Sequence, residues 1–286
     1  MKEAVKEIIV SVIVPNYNHQ RYLQKRIESI IKQTFTSYEI ILLDDCSKDG
    51  SKGTLLSFQN NPHITHIILN PVNSGSPFIQ WEKGIKLAKG KYIWIAESDD
   101  YASPLFLEYT VKALEAHPKA SLCYTGSHII DTTGKPIILE GFDKWEEDGL
   151  SYIFNSHEYI KSHLLHHNSI YNASMVLFRK ENCLTAITPE YKKMRYAGDW
   201  LFWIEQCRKG DVIEMNPKHA ALYRNAIEWE QKKKLYQRGD TLLLNDSVIS
   251  TYRFKENYYF MAGDKVMNSQ DSRYWGLLPE PFIVGK

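Results

Sequence analysis

The sequence lacks several features that mark common protein classes. It has no run of about eighteen apolar residues, so we expect no membrane-spanning helix. Its four cysteines are far apart and form no CxxC pair, which argues against zinc or a disulfide framework and favours a reducing cytoplasm. The formal net charge of +1 argues against a nucleic-acid-binding protein. With 286 residues, 43% of them hydrophobic, the chain has the composition of an ordinary globular protein.

Glycine is missing where nucleotide-binding folds often place it. No glycine occurs between Ile8 and Lys48, so the first predicted strand is followed by neither a G-x-G-x-x-G fingerprint nor a P-loop. Both motifs bind phosphate through backbone N–H groups. A phosphate ligand would therefore need another positive partner, and a divalent cation held by carboxylates is the obvious one.

The first half of the sequence alternates between two hydrophobic periods. Residues 8–14 form a nearly continuous β-branched run, which is typical of a strand covered on both faces. Leu23, Ile27, Ile30 and Ile31 then recur at helical spacing. The same change of period predicts strands at 39–43, 66–69 and 92–96, and helices at 54–58, at 78–88 and after Pro104. This pattern predicts an α/β fold with a mostly parallel central sheet flanked by helices.

The alternation ends near residue 130. The later predicted elements are strands at 122–130 and 174–179 and a helix at 200–207, so we expect a smaller antiparallel or mixed region in the second half. The simplest division is one domain, residues 1–225, followed by a C-terminal extension, residues 226–286. We expect the extension to pack on the same domain.

Polar residues follow three of the predicted strands. The segments are PNYN (15–18) after the first strand, DDCSKDG (44–50) after the second and ESDD (97–100) after the fourth. Ligands of open parallel sheets bind beyond the carboxyl ends of the strands. If these strands are adjacent and parallel, the three segments converge on one crevice.

The segment ESDD places three carboxylates within four residues. Two unit charges about 4 Å apart repel by about 4 kcal/mol at an effective dielectric constant of about 20, so Glu97, Asp99 and Asp100 need compensation. Asp99 and Asp100 are candidate ligands of Mg²⁺ or Mn²⁺ bridging a diphosphate. The alternative is that they cap the next turn and helix, and the residues alone leave both interpretations open.

The segment DDCSKDG begins like a calcium-binding loop, with Asp45, Ser47 and Asp49 at its first, third and fifth positions. The twelfth position is Leu56, where a bidentate Glu is needed, so the calcium interpretation fails. We interpret Ser47 and Asp49 as turn residues. Asp44 or Asp45 remains free to accept a hydrogen bond from a ligand N–H.

These segments belong to a longer set of matches. The set comprises VSVIVPNYN (10–18), LDDxSxDG (43–50), NxG (73–75), AxGxYI (88–93) and SDD (98–100). In this order and spacing the set resembles family 2 of the inverting glycosyltransferases, which have the GT-A nucleotide-diphospho-sugar transferase fold. A thinner likeness continues to GDW (198–200). The resemblance implies a nucleotide-binding half at about 1–130 and an acceptor half at about 131–225.

The resemblance also implies a donor site for a nucleotide-diphospho-sugar. The nucleotide-binding residues would be Pro15, Tyr17, Asn18, Asp45 and Asp99, and the metal ligands Asp99 and Asp100. Tyr17 would stack on the base, and Asp45 would accept a hydrogen bond from a base N–H. Asp99 would contact the ribose or the metal. The cation would be Mn²⁺ or Mg²⁺.

Asp199 would be the general base that takes a proton from the acceptor hydroxyl, and the family resemblance implies a single displacement with inversion. From the residues alone, Asp199 follows Gly198 and precedes an apolar helix, so a helix N-cap is the alternative interpretation. The two roles are compatible, because we expect the helix dipole to keep a carboxylate at this end ionised.

The implied activity is that of a hexosyl- or related transferase. It would move a sugar from a UDP, dTDP or GDP donor to a hydroxyl of a saccharide or lipid-linked saccharide. The Gln-x-x-Arg-Trp segment of processive synthases is absent, so one sugar per encounter is expected. The habits of the family suggest cell-envelope polysaccharide assembly, in the cytoplasm or peripherally at the inner face of the membrane.

Two departures from the family pattern concern nearby charges. The Ala-Arg-Asn stretch that often follows Asn-x-Gly is FIQWEK (78–83) here, so an arginine that commonly reaches the nucleotide is missing. Lys83 or Arg179 is a candidate replacement. The family's Tyr-Arg-x-His segment is YRNA (223–226) here and lacks the histidine.

Several alternatives stay open. HHN (166–168) is either part of the acceptor or diphosphate side or, more commonly for such clusters, a surface helix end. Lys232–Lys234 is either a solvated helix face or an attraction for anionic lipid. A non-catalytic nucleotide-sugar or saccharide-binding protein of the same fold is disfavoured by the intact acidic set. A sugar-nucleotide pyrophosphorylase should have a glycine-rich first loop, which PNYN is not.

Overall fold

The computed structural model describes residues 7–130, 136–137, 151–183, 185–194, 198–216 and 222–225, and the short segments 235–238, 241–244, 247–249, 258–259 and 278–279. The chain divides into two units, Met1–Asn225 and Ala226–Lys286. Within the second unit, Leu235–Arg238, Thr241–Leu244 and Ser247–Ile249 form an antiparallel sheet. The predicted packing of residues 226–286 on the first domain stays a prediction, and Lys232–Lys234 lie outside the described residues.

The strands of the first unit run in chain order as follows: β1 (Val10–Asn16), β2 (Tyr38–Asp44), β3 (Ile64–Leu69), β4 (Tyr92–Ile95), β5 (Asp100–Ala102), β6 (Ala120–Thr125), β7 (Ser127–Ile130), β8 (Pro136–Ile137), β9 (Tyr152–Phe154), β10 (Val176–Arg179), β11 (Asp211–Met215) and β12 (Leu222–Asn225). The helices are α1 (Gln20–Ile31), α2 (Ser51–Ser57), α3 (Pro77–Leu87), α4 (Phe106–Ala116), α5 (Ser156–Tyr159), α6 (Pro189–Lys193) and α7 (Gly198–Cys207).

The central sheet has the strand order β3-β2-β1-β4-β10-β6-β11-β9. Strands β1 to β4 are parallel, and so are β6 and β11, whereas β10 runs antiparallel between β4 and β6 and β9 runs antiparallel at the edge. Every residue of β1 and β2 is buried, as expected of strands covered on both faces. The predicted α/β fold with a mostly parallel sheet is confirmed.

A second sheet has the order β5-β12-β7-β8. The sequence predicts one strand over 122–130. The structure has two, because the strand is interrupted at Gly126: β6 belongs to the central sheet and β7 to the second one. Strands β9 and β11 are short and carry no strong alternation, and the sequence does not predict them. In β12, Arg224 is paired with Asp100 of β5, which brings the YRNA segment beside the acidic motif.

Helix α3 packs on β1 and β2, and α7 packs on β6. Aromatic side chains join these two helices: the ring of Trp81 lies edge-on to Phe202 with a centroid distance of 5.6 Å, and 6.0 Å from Trp203. These ring contacts form a dense apolar layer between α3 and α7, and the layer fixes the position of α7. Among the described residues, no helix is both long and apolar enough to cross a membrane.

Gly90 is expected to be essential for stability. A Cβ atom there would lie 2.5 Å from the backbone nitrogen of Ser11 and 2.6 Å from the carbonyl carbon of Val10, so β1 would have to move. We expect Gly90→Ala to lower the free energy of unfolding by about 3 kcal/mol, near the upper end for overpacking. The control is Gly53→Ala in α2, where no atom lies within 4 Å; it should raise this free energy by about 0.5–1 kcal/mol. Urea unfolding of both variants measures the difference, and equal effects would contradict it.

Candidate active site

The three polar segments do meet at one edge of the sheet. Strands β2, β1 and β4 are adjacent and parallel, so their carboxyl ends lie side by side. Hydrogen bonds connect the segments: Asn16 Nδ2 donates to Asp44 Oδ1 at 2.7 Å, and His19 Nδ1 lies 2.8 Å from Ser98 Oγ. The predicted convergence is therefore confirmed.

The first segment combines a buried and an exposed part. Pro15 is buried at the end of β1, whereas the Tyr17 side chain is 44% exposed. Asn18 has the left-handed φ of 57° that asparagine tolerates, and its Oδ1 accepts from Lys48 N at 2.7 Å. Asn18 thus shapes the loop, and Tyr17 is the residue of this segment that presents a ring to a ligand.

The second segment is held by its own hydrogen bonds. The Asp44 carboxylate accepts from Asn16 Nδ2, from Ser47 N at 2.9 Å and from Ser47 Oγ at 2.6 Å. The Asp49 carboxylate accepts from the backbone N–H groups of Gln20 and Ser51, both at 2.9 Å. These contacts agree with turn roles for Ser47 and Asp49, and they add Asp44 to the turn.

Asp45 is buried and surrounded by donors. Its carboxylate accepts from Asn70 Nδ2 at 2.8 Å, Gln80 Nε2 at 2.9 Å and Ser74, which donates both its N–H and its hydroxyl at 2.7–3.1 Å. Lys83 Nζ in turn contacts Asn70 Oδ1. Asp45 is thus a buried carboxylate held in a fixed position directly after β2.

The third segment is the most strongly charged. Glu97 is half-buried, and desolvation, followed by the charges of Asp99 and Asp100, raises its pKa to about 8. Trp81 Nε1 donates to Glu97 Oε1 at 3.2 Å. Asp100 is 3% exposed and accepts from Asn172 Nδ2 at 2.9 Å.

The helix-cap interpretation of Asp99 and Asp100 is wrong. Asp100 is the first residue of β5, and α4 begins only at Phe106, with no side-chain cap. The two carboxylates have no part in starting α4. The other part of that interpretation, that they stabilise the turn before β5, stays a prediction.

A metal ion fits this motif only if a bound diphosphate supplies some of its ligands. In the part of the chain that the structure describes, no group of three or more His, Cys, Asp or Glu residues is arranged to hold a metal. Mg²⁺, however, is commonly bound by one or two carboxylates together with substrate phosphates and water. Asp99 and Asp100 suit a cation that is completed by a diphosphate, and do not suit one held by protein alone.

Arg26 is a residue of this site that the sequence analysis missed. It lies on α1 and is fully buried; burial lowers its pKa, and the charges of Asp100, Asp99 and Glu97 partly oppose this. The signal was present in the sequence, because Leu23, Arg26, Ile27 and Ile30 are the buried face of α1. A charged residue on an apolar helix face requires a partner.

Arg179, the candidate replacement for the family's arginine, is at the wrong edge. Because β10 is antiparallel to β4, its last residue Arg179 pairs with Tyr92 at the start of β4, opposite to the crevice. Its Nε donates to Ala120 O at 2.7 Å and its Nη2 to Leu114 O at 2.9 Å. It lines a recess of about 370 Å³ there, which does not include Glu97, Asp99 or Asp100. Lys83, through Asn70, is the nearer of the two candidates to Asp45.

Asp199 lies in the first turn of α7. The helix begins at Gly198, so Asp199 is its second residue and the predicted N-cap position is wrong. Burial raises the pKa of Asp199, and hydrogen bonds from the backbone of Trp200 and Asp199 and from Asn168 act in the opposite direction. Desolvation therefore has a larger effect on this pKa than the hydrogen bonds at the helix end, and the predicted ionised state of Asp199 stays a prediction.

Of the HHN segment, one residue reaches Asp199. Asn168 Nδ2 donates to Asp199 Oδ2 at 3.1 Å, whereas His166 is exposed. The segment follows a π-helix, Ile160–Leu164, and is tied to α7 because Trp200 Nε1 donates to Leu164 O at 2.8 Å. Short π-helical turns are frequent at functional sites. The surface interpretation holds for His166 and fails for Asn168.

Tyr191 links the two acidic groups. Its hydroxyl is buried and has no hydrogen-bond partner in the described part of the chain, and burial, with the charges of Asp199 and Glu97 adding to it, raises its pKa. The ring packs 4.6 Å from that of Phe78, whose side chain also abuts Gly198. Asp199 and the acidic motif are thus within electrostatic range of one buried side chain.

The comparisons with known proteins agree with this arrangement. The model of glycosyl transferase family 2 matches residues 11–181, more than half of the chain. A model of signal peptidase (peptidase S26) matches residues 204–286, under a third of the chain and mostly outside the described residues, and this does not show membership. An uncharacterized glycosyltransferase of Haemophilus influenzae is 28% identical over 284 residues, which cover 91% of this chain and 84% of that protein.

Two further similarities cover less of the other protein. The glycosyltransferase GlyG of Streptococcus pneumoniae is 38% identical over 100 residues, 35% of this chain and 33% of GlyG. The crystal structure of residues 1–349 of S. aureus TarS has a TM-score of 0.60 and 21% identity, and the match covers 77% of this chain and 61% of that chain. The second similarity shows the fold. Together with the family match, it establishes that the chain belongs to glycosyl transferase family 2 and is a glycosyltransferase of the GT-A type.

Proposed function

We propose that this chain is an inverting, non-processive glycosyltransferase. It moves a sugar from a nucleoside-diphosphate donor to a hydroxyl of a saccharide or lipid-linked saccharide, with Asp199 as the general base. The observation that carries the proposal is the position of Tyr191, whose buried hydroxyl is within electrostatic range of both Asp199 and Glu97. A base and a diphosphate-facing acidic motif at one sheet edge are the two parts that a direct displacement needs.

The donor is a nucleotide sugar, with a UDP-sugar as the first candidate. The solved structures of TarS include complexes with UDP and with UDP-GlcNAc. In this chain, the exposed ring of Tyr17 offers a stacking surface for the base. Asp45, held by Asn70, Ser74 and Gln80, is a pre-oriented acceptor for a base N–H. Pro15 and Asn18 fix the loop that carries Tyr17.

Asp199 takes the proton of the acceptor hydroxyl as that oxygen attacks the anomeric carbon and the bond to the diphosphate breaks. Its raised pKa brings it closer to neutrality, where a general base is most effective. Asn168 orients the carboxylate through Oδ2. GT-A transferases commonly use divalent metals, and a cation held by Asp99 and Asp100 would stabilise the negative charge of the departing diphosphate.

The acceptor is a cell-envelope polysaccharide or its lipid-linked precursor. Relatives carry names of this kind, such as a putative teichuronic acid biosynthesis glycosyltransferase of Bacillus subtilis and the poly(ribitol-phosphate) N-acetylglucosaminyltransferase TarS of Staphylococcus aureus. The four cysteines are free thiols, which supports a reducing compartment such as the cytoplasm. Association with the inner membrane face belongs to this proposal through the lipid-linked acceptor.

The donor site is tested by a thermal-shift panel of UDP, GDP, dTDP and CDP, each with Mn²⁺ and with EDTA. A ligand at about one hundred times its Kd adds about 2.7 kcal/mol of apparent stability, so the cognate nucleotide should stand out. We expect the largest shift with UDP and Mn²⁺, and a smaller one with UDP and EDTA. If no nucleotide stabilises the protein and the cation changes nothing, the proposed donor site is wrong.

A further inference from the structure

Arg26 is buried on α1, which packs against the β5 strand of the acidic motif. Its Nε, Nη1 and Nη2 are all buried, and none has a hydrogen-bond partner among the described residues. A guanidinium carries five N–H donors, and a buried ion without compensation is strongly destabilising. Neighbouring residues of α1 on the same face are apolar, namely Leu23, Ile27 and Ile30. The compensation must come from other elements.

Two such sources are present. The guanidinium lies over the ring of Trp94, with Cζ 4.7 Å from the ring centroid, which is a cation–π geometry. Helix α1 also packs against β5, which begins with Asp100. Burial lowers the pKa of Arg26 to about 10, and the charges of Asp100, Asp99 and Glu97 oppose this, so the group stays a cation at neutral pH.

Trp94 is a rigid support that reaches both ends of the motif. It stacks on Phe106 at 4.5 Å, and its Nε1 donates to Ser174 O at 2.7 Å. Ser174 Oγ accepts from the Glu97 N–H at 2.9 Å, and Asn172 connects Ser174 N to Asp100 Oδ2. A cation fixed on Trp94 therefore acts on carboxylates whose own positions are fixed by the same network.

We propose that Arg26 is a charge-balancing residue of the donor site: its buried guanidinium offsets the negative charge of Asp99 and Asp100 before a divalent cation arrives, and its positive charge limits how tightly that cation binds. The inference rests on the proposed donor site for the identity of the cation. Arg26 offsets part of the negative charge of the motif, so less repulsion remains in the empty site. The same positive charge repels an incoming Mn²⁺.

The first experiment compares Arg26→Met with Arg179→Met. Arg179 is the matched control, because it is also buried against an aromatic ring, with Cζ 5.3 Å from the centroid of Tyr92, but lies at the opposite edge. The melting temperature is measured with saturating UDP, in EDTA and in Mn²⁺, and the Kd of Mn²⁺ is measured by calorimetry with UDP present. We expect Arg26→Met to melt about 6 °C or more below wild type in EDTA and to recover most of that loss in Mn²⁺.

Mn²⁺ should also bind Arg26→Met at least about tenfold more tightly than wild type, since a like charge has been removed. Arg179→Met should lose stability equally in both conditions and leave the Kd unchanged. Arg26→Lys keeps the charge and should bind Mn²⁺ like wild type. A loss that is the same in EDTA and Mn²⁺, or an Arg26→Lys variant that binds Mn²⁺ as Arg26→Met does, overturns the proposal.

A cation-free measurement separates this inference from the proposed function. In EDTA, Asp100→Asn combined with Arg26→Met should melt clearly above the value obtained by adding the two single losses, because the buried charges are removed together. Additive losses overturn the electrostatic role of Arg26. If the losses are not additive and no nucleotide binds, the electrostatic role of Arg26 is supported and the proposed donor site is rejected.

Discussion

An Asp199→Asn enzyme is expected to transfer sugar about 10²- to 10⁴-fold more slowly than wild type in kcat. Asparagine keeps the shape of the side chain but accepts no proton, so the acceptor hydroxyl remains a poor nucleophile. The Kd of the nucleotide should change less than about twofold, because Asp199 contacts Asn168 and the start of α7 rather than the polar strand ends. The rate is measured with the sugar derivative of the nucleotide that stabilises the protein best.

Glu205→Gln is the matched control for this variant. Glu205 lies on the same helix and is part of an exposed pair with Arg208, at 2.9 Å. Its loss should change stability by less than about 1 kcal/mol and leave kcat unchanged. If Asp199→Asn and Glu205→Gln transfer sugar at equal rates, Asp199 is not the base and the non-catalytic alternative gains support.

The pH profile gives a second check on the same residue. The base must be ionised, so kcat/KM should fall as pH decreases through the pKa of Asp199. Because burial raises that pKa, the fall should lie above the value of about 4 that is ordinary for aspartate. Asn168→Ala removes a hydrogen bond that stabilises the ionised form, and should move the fall further toward neutral pH. A profile with its acid limb at the ordinary aspartate value would contradict the assignment.

The edge of the sheet could be predicted from the sequence because its signals are local. The strands β1, β2 and β4 are apolar runs that end abruptly in polar residues, and parallel pairing brings those ends together. The turn roles of Ser47 and Asp49 follow from their place near Gly50. The acidic motif was recognised for the same reason, since its charges are adjacent in sequence.

Long-range contacts could not be predicted in the same way. Asn168 reaches Asp199 across 31 positions, and Asn172 reaches Asp100 across 72. Which asparagine meets which aspartate depends on how β10 enters the sheet antiparallel, and no local pattern specifies that. The same reversal sends Arg179 to the opposite edge, which is why its predicted role failed.

Arg26 is the informative exception. Its place on the apolar face of α1 follows from helical spacing alone, at three residues after Leu23 and four before Ile30. The sequence therefore predicts a buried cation, and the acidic motif is the obvious candidate for its counter-charge. The interaction of Arg26 with the acidic motif depends on the packing of α1 against β5. No local sequence pattern predicts that packing.

An Asp99→Asn enzyme is expected to lose the dependence of nucleotide binding on Mn²⁺. Asp99 is the half-buried carboxylate of the motif, whereas Asp100 is buried and already bound by Asn172. Removing the charge of one ligand weakens the binding of a cation that the protein shares with the diphosphate. The cation stabilises the negative charge of the leaving group by several kcal/mol. We expect kcat/KM to fall by about 100-fold or more, and the Mn²⁺-dependent part of the UDP thermal shift to disappear.

Asp49→Asn is the control for this prediction, since Asp49 lies at the same edge but accepts from Gln20 N and Ser51 N within the turn. An asparagine oxygen can keep one of these two hydrogen bonds, and the lost one lies within the turn, so nucleotide binding and its Mn²⁺ dependence should persist. An Asp99→Asn enzyme that keeps a full Mn²⁺-dependent shift would assign the cation to other residues. A different result is also informative: the Asp99→Asn enzyme could bind UDP normally, show no effect of the cation and still transfer sugar at the wild-type rate. In that case the fixed charges of the protein stabilise the leaving diphosphate by themselves.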